Sequence, residues 1–165
     1  MKTFFLSLTA LLAVMFTGCG SSTHNTADIP PVADFDLKKY MGKWYEIARL
    51  PISFERGIYD AQADYTLLPD GTVKVINSGF RNGIKTSVAG VARTGNVKHS
   101  GELEVSFFYP FFALYKVIYV DKDYTLAIVT GSSMDSLWIL ARKPVISRSE
   151  MAMCLEMLIL SDWKK

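Results

Sequence analysis

Residues 101–130 read GELEVSFFYPFFALYKVIYVDKDYTLAIVT. In Glu102–Phe108, Leu103, Val105 and Phe107 alternate with Glu102, Glu104 and Ser106. That two-residue period marks a strand with one buried and one wet face. Ala113–Val120 and Thr125–Thr130 follow as runs rich in β-branched and aromatic residues. Both are apolar on both faces, so something must cover their outer side. The charged turn Asp121-Lys122-Asp123 joins them, and a connection that short implies antiparallel neighbours.

The same grammar extends in both directions. Trp44–Leu50, Ala61–Leu68, Thr72–Gly79 and Thr86–Arg93 precede the stretch, and Ser136–Arg142 follows it. Pro69-Asp70-Gly71 and Asn82-Gly83 are turn signals between them. Val73, Val75 and Asn77 share one parity, opposite Lys74, Ile76 and Ser78. After the eighth strand, Ser147 and Glu150 have capping-box spacing. Met151, Cys154, Leu155, Leu158 and Ile159 then recur at helical spacing. One C-terminal helix is therefore expected to pack outside the sheet. An eight-stranded antiparallel sheet can remove its edges by closing into a barrel. A sandwich is the alternative, and periodicity does not separate the two.

Composition bounds the function. The chain has 165 residues, half of them hydrophobic, with 13% aromatic and 21% charged. Its 18 Lys and Arg nearly balance 16 Asp and Glu, so nothing electrostatic points to nucleic acid. The apolar content excludes intrinsic disorder, and two cysteines exclude a disulfide scaffold. Part of the apolar share lies at the start. Lys2, the apolar run Phe4–Phe16 and the small residues Thr17-Gly18 have the layout of a secretory signal peptide over residues 1–18. Phe16-Thr17-Gly18-Cys19 resembles a bacterial lipobox with phenylalanine in place of the usual leucine. That resemblance implies acylation of Cys19. Gly20 after it implies, by the same resemblance, the outer membrane and its periplasmic face. Gly20–Asp34 is rich in Ser, Thr, Pro and Ala and reads as a flexible tether, so residues 19–34 are expected to form a lipidated linker ahead of a domain over 35–165. His24 in the tether and His99 in a turn stand without ligand-like neighbours.

Three motifs identify a family. The first is Gly42-Lys43-Trp44-Tyr45-Glu46-Ile47-Ala48-Arg49, followed by Phe54-Glu55-Arg56-Gly57. The second is Val120-Asp121-Lys122-Asp123-Tyr124, and the third Leu137-Trp138-Ile139-Leu140-Ala141-Arg142. In this order and spacing they resemble the lipocalins, specifically bacterial outer-membrane lipocalins and their apolipoprotein D-like relatives. The resemblance runs from about Asp34 to Ser149. It implies an all-β, eight-stranded up-and-down barrel in which Trp44 plugs the closed end and Arg142 packs over it, a favourable guanidinium–indole arrangement. It also implies a fatty acid or lysophospholipid as ligand, held for storage or transport in envelope maintenance or stress.

Inward parity nominates Leu103, Val105, Phe107 and Trp138 as ligand-lining residues, with Tyr115 a neighbour on strand six and Phe108 a further candidate. Phe107-Phe108-Tyr109-Pro110-Phe111-Phe112 is expected to form the loop between strands five and six, at the barrel mouth, as a gate, a membrane contact or packing for neighbouring loops. No nucleophile elbow or zinc motif is present, so no catalytic residue, metal or cofactor is expected, and no enzymatic activity. Cys154 reads as a structural thiol. A structural envelope lipoprotein with a filled barrel is the competing reading. Relatives continue after the helix into a further short strand, where this sequence has Ser161-Asp162-Trp163-Lys164-Lys165, so a homodimer remains open.

Overall fold

Alternating apolar and polar residues fold here into eight strands, and the question left open by periodicity is answered by how the first meets the last. The computed structural model describes residues 25–95, 101–161 and 163. The expectations for the signal peptide, Cys19, His24 and His99 lie outside them. After a single helical turn α1 (Leu37–Tyr40) come β1 (Gly42–Arg49), β2 (Ile58–Leu67), β3 (Val73–Arg81) and β4 (Ile84–Thr94). Then follow β5 (Glu102–Phe108), β6 (Phe111–Val120), β7 (Leu126–Thr130), β8 (Leu137–Ala141) and the helix α2 (Arg148–Leu160). Each strand pairs antiparallel with the next, and β1 pairs with β8 from Tyr45↔Ala141 to Arg49↔Trp138. The sheet is a closed barrel, not a sandwich.

Turn chemistry sets the registers. Asn82 and Gly83 both have positive φ, the pairing that suits a two-residue hairpin, and they join Arg81 to Ile84. The Asp121 carboxylate accepts from the backbone N–H groups of Thr125 and Leu126 and from the Thr125 hydroxyl. That closes the β6–β7 turn. One motif departs from expectation. Phe107–Phe112 is not a loop: β5 runs to Phe108 and β6 resumes at Phe111, leaving Tyr109-Pro110 as the turn. Aromatic residues favour the pleated sheet, so the strands extend through them.

The apolar residues divide into two cores. Trp44, Tyr40, Val73, Val75, Val117, Val129 and Leu140 fill the lower barrel. Outside it, Leu126, Ile128, Leu137 and Ile139 meet Cys154 and Leu158 of α2. All five residues of β7 are buried because one face lines the barrel and the other lies under the helix. The α2 capping box is formed: the Ser147 hydroxyl accepts from Glu150 N, and the Glu150 carboxylate accepts from Ser147 N. The expected apolar face needs correction. Cys154 and Leu158 are buried, whereas Leu155 and Ile159 are 51% and 74% exposed. One residue along a helix is about 100° around it, which carries both away from the sheet.

The tether expectation also changes. Residues 25–34 lie along the barrel wall. Asn25 bridges Ser133, the Thr26 hydroxyl donates to Gly131 O at 2.6 Å, and Val32 N donates to Val117 O at 2.9 Å. Beneath them Lys116, on the outer face of β6, is 4% exposed and donates from Nζ to the carbonyls of Thr26 and Ile29. A buried ammonium needs acceptors, and this segment supplies them. Polar composition suggested solvent; the two side chains that fill the wall, Thr26 and Ile29, gave no periodic signal.

Candidate functional site

The barrel encloses a cavity of about 710 Å³ that opens at one end. Its closed end is built from α1, the start of β1 and the end of β8. Trp44 is fully buried and its indole N–H donates to Tyr40 O at 2.8 Å. The Arg142 guanidinium lies 4.0 Å from the indole ring. It donates to the carbonyls of Tyr124, Lys43, Lys39 and Met41 at 2.7–3.1 Å. One arginine thus ties the β6–β7 turn, α1 and β1 together over the plug. Only a planar, multiply donating group can reach four carbonyls in this way.

Above Trp44 stand three tyrosines that line the cavity. The hydroxyl of Tyr115 is 2.7 Å from that of Tyr40 and 3.1 Å from that of Tyr65. Burial pushes all three phenols up, Tyr65 to about 12, so they keep their protons at neutral pH. The walls are apolar. Leu103, Val105 and Phe107 project from β5, and Val73 and Val75 from β3, on either side of β4. Gly90 on β4 leaves the space that Phe107 occupies: a Cβ there would stand 2.6 Å from the ring.

The open end is charged. Arg49 on β1 pairs with Glu46 and, from Nε at 3.3 Å, with Glu55 in the short 3-10 turn Ser53–Glu55. Arg49 also donates to the carbonyls of Glu55 and Ile58, which fastens the β1–β2 connection to the barrel. The Trp138 indole N–H donates to the Glu55 carboxylate at 3.4 Å. Burial, and then the neighbouring Glu46, push the Glu55 carboxyl up to about 7.

All six nominated residues line this cavity, but not equally. Leu103, Val105 and Phe107 form its wall, Tyr115 its floor, and Trp138 its upper wall. Phe108 is 77% exposed and belongs to the rim, beside Tyr109 and Phe111. Phe112 also lines the cavity, with the Arg93 guanidinium 3.9 Å from its ring. Sequence reasoning missed Tyr40, Tyr65, Glu46, Glu55 and Arg49. Glu46 was within reach: it stands two residues from Trp44 and so shares its inward parity. Cys154 lies on the buried face of α2, outside the cavity, and burial raises its thiol to about 11. Among the described residues no group of three or more His, Cys, Asp or Glu is placed to hold a metal ion.

A barrel plugged by tryptophan under arginine, with an external helix, is a specific arrangement, and the family model described as "Lipocalin-like domain" matches residues 35–160. The chain belongs to the lipocalin family. Its similarity to an outer membrane lipoprotein Blc of Vibrio cholerae is 38% identity over 150 residues, covering 89% of this chain and 86% of that protein. An outer membrane lipoprotein Blc of Escherichia coli K12 is 41% identical over 140 residues, covering 84% and 78%. Apolipoprotein D of Rattus norvegicus is 35% identical over 158 residues, covering 88% and 82%. Among solved structures, insecticyanin from the tobacco hornworm Manduca sexta superposes with a TM-score of 0.68 at 23% identity, covering 80% of this lipocalin and 76% of that chain. That last likeness bears on the fold alone.

Proposed function

We propose that this lipocalin is an outer-membrane lipoprotein, anchored through Cys19, that holds a fatty acid or lysophospholipid in its barrel for storage or transport in the cell envelope. The observation that carries the reading is the cavity: about 710 Å³, apolar along its walls, closed at one end and open at the other. Each methylene removed from water contributes about 0.8 kcal/mol. A long acyl chain therefore offers on the order of 10 kcal/mol before the ordering costs of association. The similarity to proteins named outer membrane lipoprotein supports the location. Leu103, Val105, Phe107, Phe108, Tyr115 and Trp138 are the proposed ligand contacts.

Displacement of a fluorescent fatty acid tests the reading. Saturable binding, reversed by unlabelled palmitic acid or lysophosphatidylcholine, is expected. A barrel that takes up no probe would instead favour a structural lipoprotein. Mass spectrometry of protein folded in a bacterial envelope would report both acylation at Cys19 and any co-purified lipid.

A further inference from the structure

The hydrogen-bond arithmetic of the cavity floor does not close. Tyr40, Tyr65 and Tyr115 carry three phenolic hydrogens. Tyr115 Oη sits between the other two hydroxyls, and the two contacts consume two of those hydrogens whichever way the donors point. The third hydrogen has no acceptor among the described residues. Tyr40 and Tyr65 are buried and Tyr115 is half-buried, and all three line the apolar cavity that a ligand would occupy. A buried donor left unpaired is costly, and an oxygen acceptor delivered there removes the cost.

The charge under the floor points the same way. Under the floor, the Arg142 guanidinium bonds only backbone carbonyls, and among the described residues it has no carboxylate partner. Its positive charge is therefore not cancelled locally. A negatively charged or oxygen-rich group is therefore favoured at the floor.

We propose that the tyrosine trio is a carboxyl subsite, and that a fatty acid enters head-first, its carboxyl oxygen accepting the third phenolic hydrogen and its hydrocarbon chain running up toward Trp138. This rests on the lipid-binding reading above and adds an orientation to it. The three rings are in mutual contact, with centroids 5.7–6.5 Å apart, so the floor offers a donor to an oxygen arriving from above and no gap between the rings. A carboxyl group can meet that donor, whereas a permanently charged glycerophosphate headgroup would be buried there without enough partners. A lysophospholipid therefore binds the other way up, tail at the floor. The floor thereby discriminates between ligands by the charge of their polar end.

The test compares palmitic acid with 1-palmitoyl lysophosphatidylcholine on the full-length protein and on the triple variant Tyr40→Phe/Tyr65→Phe/Tyr115→Phe, by calorimetric titration. A single change would still leave a phenolic hydrogen free, because Tyr115 is the shared partner of the other two; three phenylalanines keep the rings and remove every donor. Loss of the floor hydrogen bond in the triple variant is expected to weaken palmitic acid about tenfold. Lysophosphatidylcholine should stay within about twofold of its unmodified affinity, since its tail makes no such bond. Unchanged palmitic acid affinity in the triple variant overturns the proposal, as does equal weakening of the two lipids. If the unmodified protein binds neither lipid, the lipid-binding reading itself fails. A measurement without any variant uses palmitic acid labelled with carbon-13 at either end and a water-soluble paramagnetic relaxation agent. Head-first binding shields the carboxyl carbon and leaves the terminal methyl accessible; the reverse pattern overturns the proposal.

Discussion

The two ends of the barrel solve opposite problems. At the closed end the polar groups of the plug are turned onto backbone: the Trp44 indole meets Tyr40 O, and Arg142 is spent on four carbonyls. At the open end, charged side chains bond one another: Glu46, Arg49 and Glu55 form a half-buried cluster on the cavity wall, and Phe108, Tyr109 and Phe111 stand exposed above it. The floor is designed for permanence. The mouth holds groups whose charge and contacts can change when something passes. Stability should therefore be concentrated at one end, and responsiveness to pH and ligand at the other.

The sharpest way to break that contrast is Trp44→Ala. The ring is fully buried and central to the lower core, so the change should lower unfolding free energy by about 3–5 kcal/mol in denaturant titrations. A loss under about 1 kcal/mol would remove the floor's claim to be the stabilising end. Arg142→Lys comes next. An ammonium cannot span four carbonyls, so a loss of about 1–3 kcal/mol is expected, even though charge is conserved. Full recovery by lysine would mean that charge, not the guanidinium fork, closes the barrel.

At the mouth the effect is a dependence on pH. The folded Glu55 carboxyl holds its proton to about pH 7, whereas an unfolded glutamate releases it near its ordinary 4.5. Between those values the folded protein binds more protons than the unfolded one. Stability should fall as pH rises through that interval and level off above it. Glu55→Gln, which keeps the shape without the titration, should flatten that fall in melting midpoints measured from pH 4.5 to pH 8. An identical slope in the variant would assign the dependence elsewhere. The smallest effect is expected at the rim. Phe111→Ser should leave stability within about 0.5 kcal/mol, because the ring is 77% exposed. A larger loss would show that the rim packs on something in solution and belongs with the structural half of the comparison.

The unequal legibility of the two ends in the sequence has a physical origin. Strands announce themselves through a two-residue period. All eight expected strands are present, with ends displaced by a few residues where aromatic or turn residues extend or shorten the ladder. The plug was readable because Trp44 and Arg142 sit in recognisable motifs. The wall was readable because Leu103, Val105 and Phe107 alternate cleanly with polar residues. The mouth was not. Its charges come from β1 and from a short turn after it, and Arg49 joins Glu46 to Glu55 across a bulge that interrupts the parity of β1. The tyrosine trio gathers side chains from α1, β2 and β6, three places that no local period connects. Residues 25–34 escaped notice for the same reason. Their partner, Lys116, lies some ninety residues further on, and one lysine in an apolar strand looks like an ordinary surface charge.

That clasp fixes the length and the exit point of a leash. Asn25 meets Ser133 in the β7–β8 connection, which lies at the open end, and the chain then descends the wall to α1. An anchor on Cys19 would have only residues 20–24 between it and that point. Fully extended, such a span covers about 20 Å. A lipid-anchored form would thus hang mouth-side toward the bilayer, with its entrance within a short reach of the surface, and reorienting it would require stripping Thr26 and Ile29 off Lys116.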